Sequence, residues 1–182
     1  VTIWSFLQSE VDALNKEREN KISLPGIKIP DEIQITNDME EAVKDSEMIV
    51  MAVASSFVRS TAKSLKGIVK EGQIIVDVAK GIEDKTFFTM TEIIEEELPE
   101  CEAVVLSGPS HAEEVGREVP TVVVIGAKKQ GTAMKVQSIF ANKYFRPYIS
   151  PDRKSIELGG SLKNVIALAA GIIDGLGFGD NT

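Results

Sequence analysis

Lys163 stands inside Leu162 to Ile173, a run of apolar or small residues interrupted only by that lysine and Asn164. A helix built from such a run has no polar face to offer water and is expected to lie buried. A buried ammonium must be paired, neutralised or used, because desolvation disfavours its charge and draws its pKa toward neutrality. Asp174 follows eleven residues later, about three turns at 3.6 residues per turn, and so returns to the lysine's side. The structural alternative is a lysine whose stem packs while its head reaches solvent. Put to chemical use, the group can transfer a proton or stabilise a developing oxyanion. A desolvated lysine also suits imine formation with a carbonyl compound, as in an aldolase-like lyase.

A second set of candidates lies where apolar runs end. Met48 to Val53 gives way to Ala54-Ser55-Ser56-Phe57, Ile74 to Ala79 gives way to Lys80-Gly81-Ile82-Glu83, and Ala103 to Leu106 gives way to Ser107-Gly108-Pro109-Ser110. Small residues, hydroxyls and backbone N–H groups beside helix starts suit an anionic ligand. Taken singly, Ser55 and Ser110 read as helix caps, Lys80 as a surface lysine and Gly108-Pro109 as a turn. Together, two lysines, one at such an edge and one on a helix, suggest a carbonyl compound carrying a phosphate.

The elements that must position these residues alternate. Strands are expected at Val1 to Trp4, Ile33 to Thr36, Met48 to Val53, Ile74 to Ala79, Ala103 to Leu106, Thr121 to Ala127 and Phe145 to Ile149. Helical spacing covers Leu7 to Arg18, a segment capped by Asn37 or Asp38 and running through Lys44, a segment capped by Ser55-Ser56, Phe87 to Leu98, and Thr132 to Phe140. His111 to Val115 reads as a single turn. The runs at Met48 and Ile74 carry no polar alternation, the mark of strands buried on both faces. Glu92, Glu95, Glu96 and Glu97 read as a solvated helix face. Such alternation implies right-handed crossovers and a mostly parallel α/β sheet, with ligands at the carboxyl ends of its strands. Composition shifts near Pro151 from alternating elements to one long apolar helix, so residues 1–150 and 151–182 are expected to be separate units.

Composition narrows the classes. The chain of 182 residues is 43% hydrophobic and 26% charged, with net charge −8, and its pI of about 4.8 argues against a nucleic-acid partner. No run matches the length of an uninterrupted membrane span, and no signal peptide opens the sequence; the lone Cys101 fits a reducing, cytoplasmic setting, which is the expectation. Cys101 and His111 are the only residues of their types, which leaves no basis for a disulfide or for a metal centre rich in Cys or His. No metal is expected. The chain opens on a strand and ends after a helix, which reads as an excerpt of something longer. There is no G-x-G-x-x-G, so a dinucleotide fingerprint would have to lie upstream of Val1.

Leu24-Pro-Gly-Ile-Lys-Ile-Pro30, Lys80-Gly-Ile-Glu83, Leu106-Ser-Gly-Pro-Ser-His-Ala-Glu-Glu-Val115 and Gly159-Gly-Ser-Leu-Lys-Asn164 occur in order, followed by Gly171-Ile-Ile-Asp-Gly-Leu176 and Gly179-Asp-Asn181. This series closely resembles the NAD(P)-dependent sn-glycerol-3-phosphate dehydrogenases. The resemblance implies a Rossmann-like, mostly parallel sheet lacking its first strand and glycine-rich turn, followed by the start of an all-helical substrate domain. It implies that Lys163 is the catalytic lysine, that Lys80, Gly108, Ser110 and Asn164 bind substrate, and that Phe6, Phe57, Lys80 and Ala112 lie at the cofactor. It further implies a homodimer and a role in glycerophospholipid metabolism.

Two departures from the family pattern, Ala54 for Pro and Ser161 for Ala, remove no functional group. After Trp4, where many bacterial members carry arginines able to pair with an NADP 2′-phosphate, this chain has Ser5-Phe6-Leu7-Gln8. That favours NAD, with NADP possible. Rival readings are a 2-hydroxyacid or 6-phosphogluconate type dehydrogenase, which also brings Lys and Asn from a helix after a Rossmann domain, the imine-forming lyase, and a non-catalytic nucleotide-binding fragment.

Overall fold

The computed structural model describes residues 1–179; Asp180-Asn181, the end of the last matching motif, lie outside the described residues. Apolar runs become the strands of two sheets. A two-stranded parallel sheet joins β1 (Thr2–Trp4) to β2 (Gln34–Thr36), with Ile3 opposite Ile35. A five-stranded sheet has the order β3-β4-β5-β6-β7, formed by β3 (Met48–Met51), β4 (Ile74–Asp77), β5 (Glu102–Ser107), β6 (Thr121–Ala127) and β7 (Phe145–Ser150). All its pairings are parallel except β5 with β6.

Helices connect the strands. They are α1 (Gln8–Glu17), α2 (Met39–Val43), α3 (Val58–Ser64), α4 (Met90–Glu97), α5 (Ala112–Gly116), α6 (Gln130–Phe140) and α7 (Arg153–Gly175). Asp38 caps α2 by accepting from the Glu41 N–H. Ser55 and Ser56 do not cap α3 with their side chains; they form a 3₁₀ turn, Ser55–Phe57, that leads into it. The helix expected from Phe87 begins only at Met90. Phe87 itself has φ 58° and is 75% exposed. Thr89 and Glu92 form a capping box that starts α4 there.

The strand alternation divides the core. Ile75, with Met51, Val58, Ala62, Met90 and Ile94, packs on one face of the sheet. Ile74 and Val76, with Val104, Val123, Ile125 and Val136, pack on the other. Each such side chain, fully buried, contributes about 1.5–3 kcal/mol. β4 is buried at all four residues: Ile74, Ile75 and Val76 as their apolar run predicts, and Asp77 with them. β3 is not: Val50 is 45% exposed, because β3 has a strand neighbour only on its β4 side.

The acidic run on α4 is no free solvated face. Glu97 is buried and pairs with Arg59 and Lys66, Glu96 pairs with Arg59, Glu95 with Arg153 and Lys128, and Glu92 with Lys154. Two of these pairs fasten the first turn of α7 to α4. The Arg153–Glu95 pair is two-pronged, at 2.6 and 3.0 Å.

α7 departs furthest from expectation. An 18-residue window of this 23-residue helix reaches a mean hydropathy of 1.5, long and apolar enough by length and composition alone to cross a membrane, although Lys163 and several glycines interrupt its apolar run, as the sequence shows. The expected burial is absent. Only Glu157 is buried, while Ile166 and Leu168 are 68% and 67% exposed. The helix meets β5 and β6 through its first turns and then runs beyond the sheet. At Gly126 the contact is tight: a methyl there would lie 2.9 Å from Arg153 Cα and 2.8 Å from Ile156 Cδ1.

Candidate active site

The three strand-end loops converge. Gly81 brings its backbone so close to the turn after β3 that a Cβ would lie 2.5 Å from Ser55 Cβ and Oγ. Lys80, half-buried, donates from Nζ to the Gly108 carbonyl at 3.3 Å, which joins the loop after β4 to the loop after β5. Gly108 lies against β6, where a methyl would meet the Val122 carbonyl at 2.9 Å. The Ser110 N–H and hydroxyl are both directed to the Gly108 carbonyl, at 2.9 and 3.4 Å. Ala112 opens α5, with His111 as its N-cap residue.

The Lys80 loop is held from behind. Arg59 on α3 donates to both Glu83 oxygens at 2.6 and 2.7 Å, and also reaches Glu96 and Glu97 on α4. Its guanidinium, with the Thr86 hydroxyl, pulls the Glu83 carboxyl down to about 2. The loop is therefore braced against two helices at neutral pH.

α7 reaches this edge at Gly160. A methyl there would sit 2.7 Å from Ser107 Oγ and 3.6 Å from Lys80 Cγ, so the absent side chain is what lets the helix close on the ends of β4 and β5. Lys163 follows one turn later. It is exposed, so the inference from desolvation fails; the tail of the helix lies past the sheet, where none of the described elements covers it. Its position nonetheless matches the expected edge. Lys80 loses proton affinity first through burial and second through the neighbouring charge of Lys163, which puts two ammonium groups in one electrostatic field. Asn164 is exposed beside it. Among the described residues, no ion pair joins Lys163 to Asp174.

Two residues that the sequence did not single out lie beneath this edge. Asp77, the last residue of β4, is fully buried. Its Oδ1 accepts from the Ala79 N–H at 3.3 Å and its Oδ2 has no partner. Burial, with Glu157 adding to it, pushes the carboxyl up to about 8. Glu157 on α7 is 6% exposed and accepts from the Thr91 N–H, the Thr91 hydroxyl and the Thr89 hydroxyl at 2.8, 2.6 and 3.0 Å. The available signal was a lone carboxylate closing an apolar strand run, and another between Ile156 and Leu158.

The aromatic candidates fall in two places. Phe57, 59% exposed, lies in the turn that Gly81 packs against. Phe6, 81% exposed, lines a cleft of about 710 Å³ with Trp4, Asp38, Glu40, Ser60 and Thr61. Neither lysine lines that cleft.

A mostly parallel sheet with helices between its strands and small, hydroxyl-bearing loops gathered at its carboxyl edge defines a protein of the Rossmann-like α/β class. Comparison with known proteins narrows this. Residues 1–133 match the family model for the NAD-dependent glycerol-3-phosphate dehydrogenase N-terminus, and residues 152–182 match that for its C-terminus. The chain belongs to the NAD-dependent glycerol-3-phosphate dehydrogenase family.

A glycerol-3-phosphate dehydrogenase [NAD(P)+] of Agathobacter rectalis is 56% identical over all of this chain and 54% of its own length; that of Fusobacterium nucleatum is 53% identical over all of this chain and 55% of its own. The crystal structure of glycerol-3-phosphate dehydrogenase from Coxiella burnetii superposes with a TM-score of 0.90 at 29% identity, covering the whole chain and 55% of that structure. The chain spans about half the length of the curated relatives it matches. These likenesses do not favour the 2-hydroxyacid or 6-phosphogluconate type alternative.

Proposed function

We propose that the intact protein interconverts sn-glycerol 3-phosphate and dihydroxyacetone phosphate by hydride transfer with a nicotinamide cofactor, feeding glycerophospholipid synthesis in the cytoplasm. The observation that carries this reading is the pair of ammonium groups, Lys80 and Lys163, sharing one field at the carboxyl edge of the sheet. One suits a phosphate, the other a carbonyl oxygen.

The residues fit the nicotinamide end of a dinucleotide. Gly81 packs closely against the Ser55 side chain, exposed Phe57 lies in the same turn, and Ala112 stands at the start of α5. Phe6 lies farther off, at the cleft beyond β1, where an adenosine end would reach. A glycine-rich turn for the pyrophosphate is not among these residues. When bound, the cofactor supplies or accepts the hydride. Lys163 holds the proton that the carbonyl oxygen takes up in reduction and receives it in oxidation, stabilising the oxygen's charge in between. Lys80, Gly108 and Ser110 hold the substrate at the loop ends, and Asn164 orients it from the next position on α7.

The same proposal divides the chain into residues 1–150, a partial dinucleotide-binding domain, and residues 151–182, the opening of a helical substrate domain that would cover the exposed face of α7. A homodimer is expected of the intact protein. The cleft with Phe6 is lined by Asp38 and Glu40 and by no Lys or Arg, which supports NAD over NADP. Assay of the full-length protein with NADH, NADPH and dihydroxyacetone phosphate, beside 2-hydroxyacids and 6-phosphogluconate, tests the reading. Turnover of dihydroxyacetone phosphate with NADH is expected. Turnover confined to a hydroxyacid, or a borohydride-trapped adduct on Lys163, would overturn it.

A further inference from the structure

A buried carboxylate, Glu157, lies beneath the site. α7 is fastened to α4 at three levels. Arg153 and Lys154 pair with Glu95 and Glu92 near the surface, while Glu157 reaches a buried position on the first turn of α4. Only the third level is sealed from water. The Glu157 carboxylate takes a backbone N–H and two hydroxyls from Thr89 and Thr91, themselves buried, and its charge faces the positive end of α4's dipole. One turn later Gly160 touches Ser107 and Lys80, and one turn beyond that stands Lys163.

We propose that Glu157 is a positioning residue for Lys163: its buried grip on Thr89 and Thr91 fixes the depth and rotation at which α7 delivers the lysine to the sheet edge. This rests on the reading of Lys163 as the proton-transfer group. Glu157 makes the last buried polar contact of α7 before the lysine, so that contact sets the depth at which the helix leaves the sheet.

The test uses the full-length enzyme and a double-mutant cycle. Glu157→Ala is expected to lower kcat about tenfold or more, the scale on which small misplacement of a catalytic group acts. The Kd for NADH should stay within about twofold, since no cofactor-binding group lies on α7, and KM for dihydroxyacetone phosphate should rise by less than kcat falls. Glu157→Gln, which keeps an acceptor for Thr91, restores most of the loss. In a Lys163→Ala background, Glu157→Ala adds nothing, because its effect runs through the missing lysine. Lys154→Ala, which removes a surface pair of α7, leaves kcat unchanged. Should Glu157→Ala fail to fold, Thr91→Val removes one buried donor with little change of shape and is expected to show the same kcat loss and the same dependence on Lys163.

A folded Glu157→Ala or Thr91→Val enzyme with normal kcat, or losses that multiply with that of Lys163→Ala, would overturn the inference while leaving the proposed reaction standing. Normal turnover in Lys163→Ala would overturn both.

Discussion

At the scale of single residues, the chemistry rests on a few charges placed where water is scarce or competing charges are near. Asp77 makes this measurable. Its carboxyl is raised to about 8 in the fold, against an ordinary 3.8, so the folded state holds a proton that the unfolded chain has released over the interval between. Stability attributable to this group is therefore complete below the unfolded value and lost as pH rises toward the folded one, at up to about 1.4 kcal/mol per pH unit. Asp77→Asn should flatten that part of the curve. Thermal melts from pH 5 to 8 check it, with the wild type losing Tm relative to the variant as pH rises.

Glu10 offers a second test at this scale. It accepts from the Ser5 hydroxyl just past β1 and, with Asp38 and Glu40, makes that end of the fold anionic. In the full-length enzyme, Glu10→Lys is expected to improve kcat/KM for NADPH relative to NADH about tenfold, the worth of one favourable charge contact. Steady-state kinetics with both cofactors measures the ratio.

At the scale of elements, most strands and helices were legible because their apolar spacing was unambiguous. β4 and β5 ended within a residue or two of expectation, and Asp38 capped α2 as its position implied. Errors arose where tertiary context decided. Phe87 has helical spacing with Met90 and Ile94, yet the capping box at Thr89 starts the helix three residues later, at Met90, and leaves the ring in solvent. The α4 glutamates read as a water-facing stripe because their partners, Arg59, Lys66, Lys128 and Arg153, lie on elements distant in sequence. The convergence of Lys80 with Gly108 was foreseen from strand-end logic. The roles of Glu157 and Asp77 were not, since each is a single carboxylate whose meaning depends on what folds beside it.

Gly126 tests the docking of α7. Gly126→Ala places a methyl 2.9 Å from the Arg153 backbone, and a backbone cannot swing aside as a side-chain tip can. The substitution should cost about 1–3 kcal/mol, typical of overpacking. Denaturant unfolding of the variant measures this; an unchanged midpoint would mean that α7 is not seated there.

At the scale of the whole molecule, the exposed tail of α7 is the dominant feature. Val165, Ile166, Leu168, Ile172 and Leu176 stand out of the fold together, an apolar surface of the kind that partners or further chain cover. The composition of the helix leads to an expectation of burial, which the exposed Val165, Ile166, Leu168 and Ile172 contradict. Composition could not indicate that residues 1–179 do not themselves provide an apolar setting. The 182-residue chain should accordingly bind an environment-sensitive hydrophobic dye, and replacing Ile166 and Leu168 with Gln should reduce that signal. Equal dye binding by the two would place the exposed surface elsewhere.

The central claim is that Lys163 and Lys80 meet at one sheet edge with different duties. Steady-state reduction of dihydroxyacetone phosphate by full-length Lys163→Ala and Lys80→Ala enzymes separates those duties. The first should lose about 10² to 10⁴ in kcat, the usual worth of one acid–base group, with KM little changed. The second should show its loss chiefly as a raised KM. Near-normal kcat in Lys163→Ala would contradict the account.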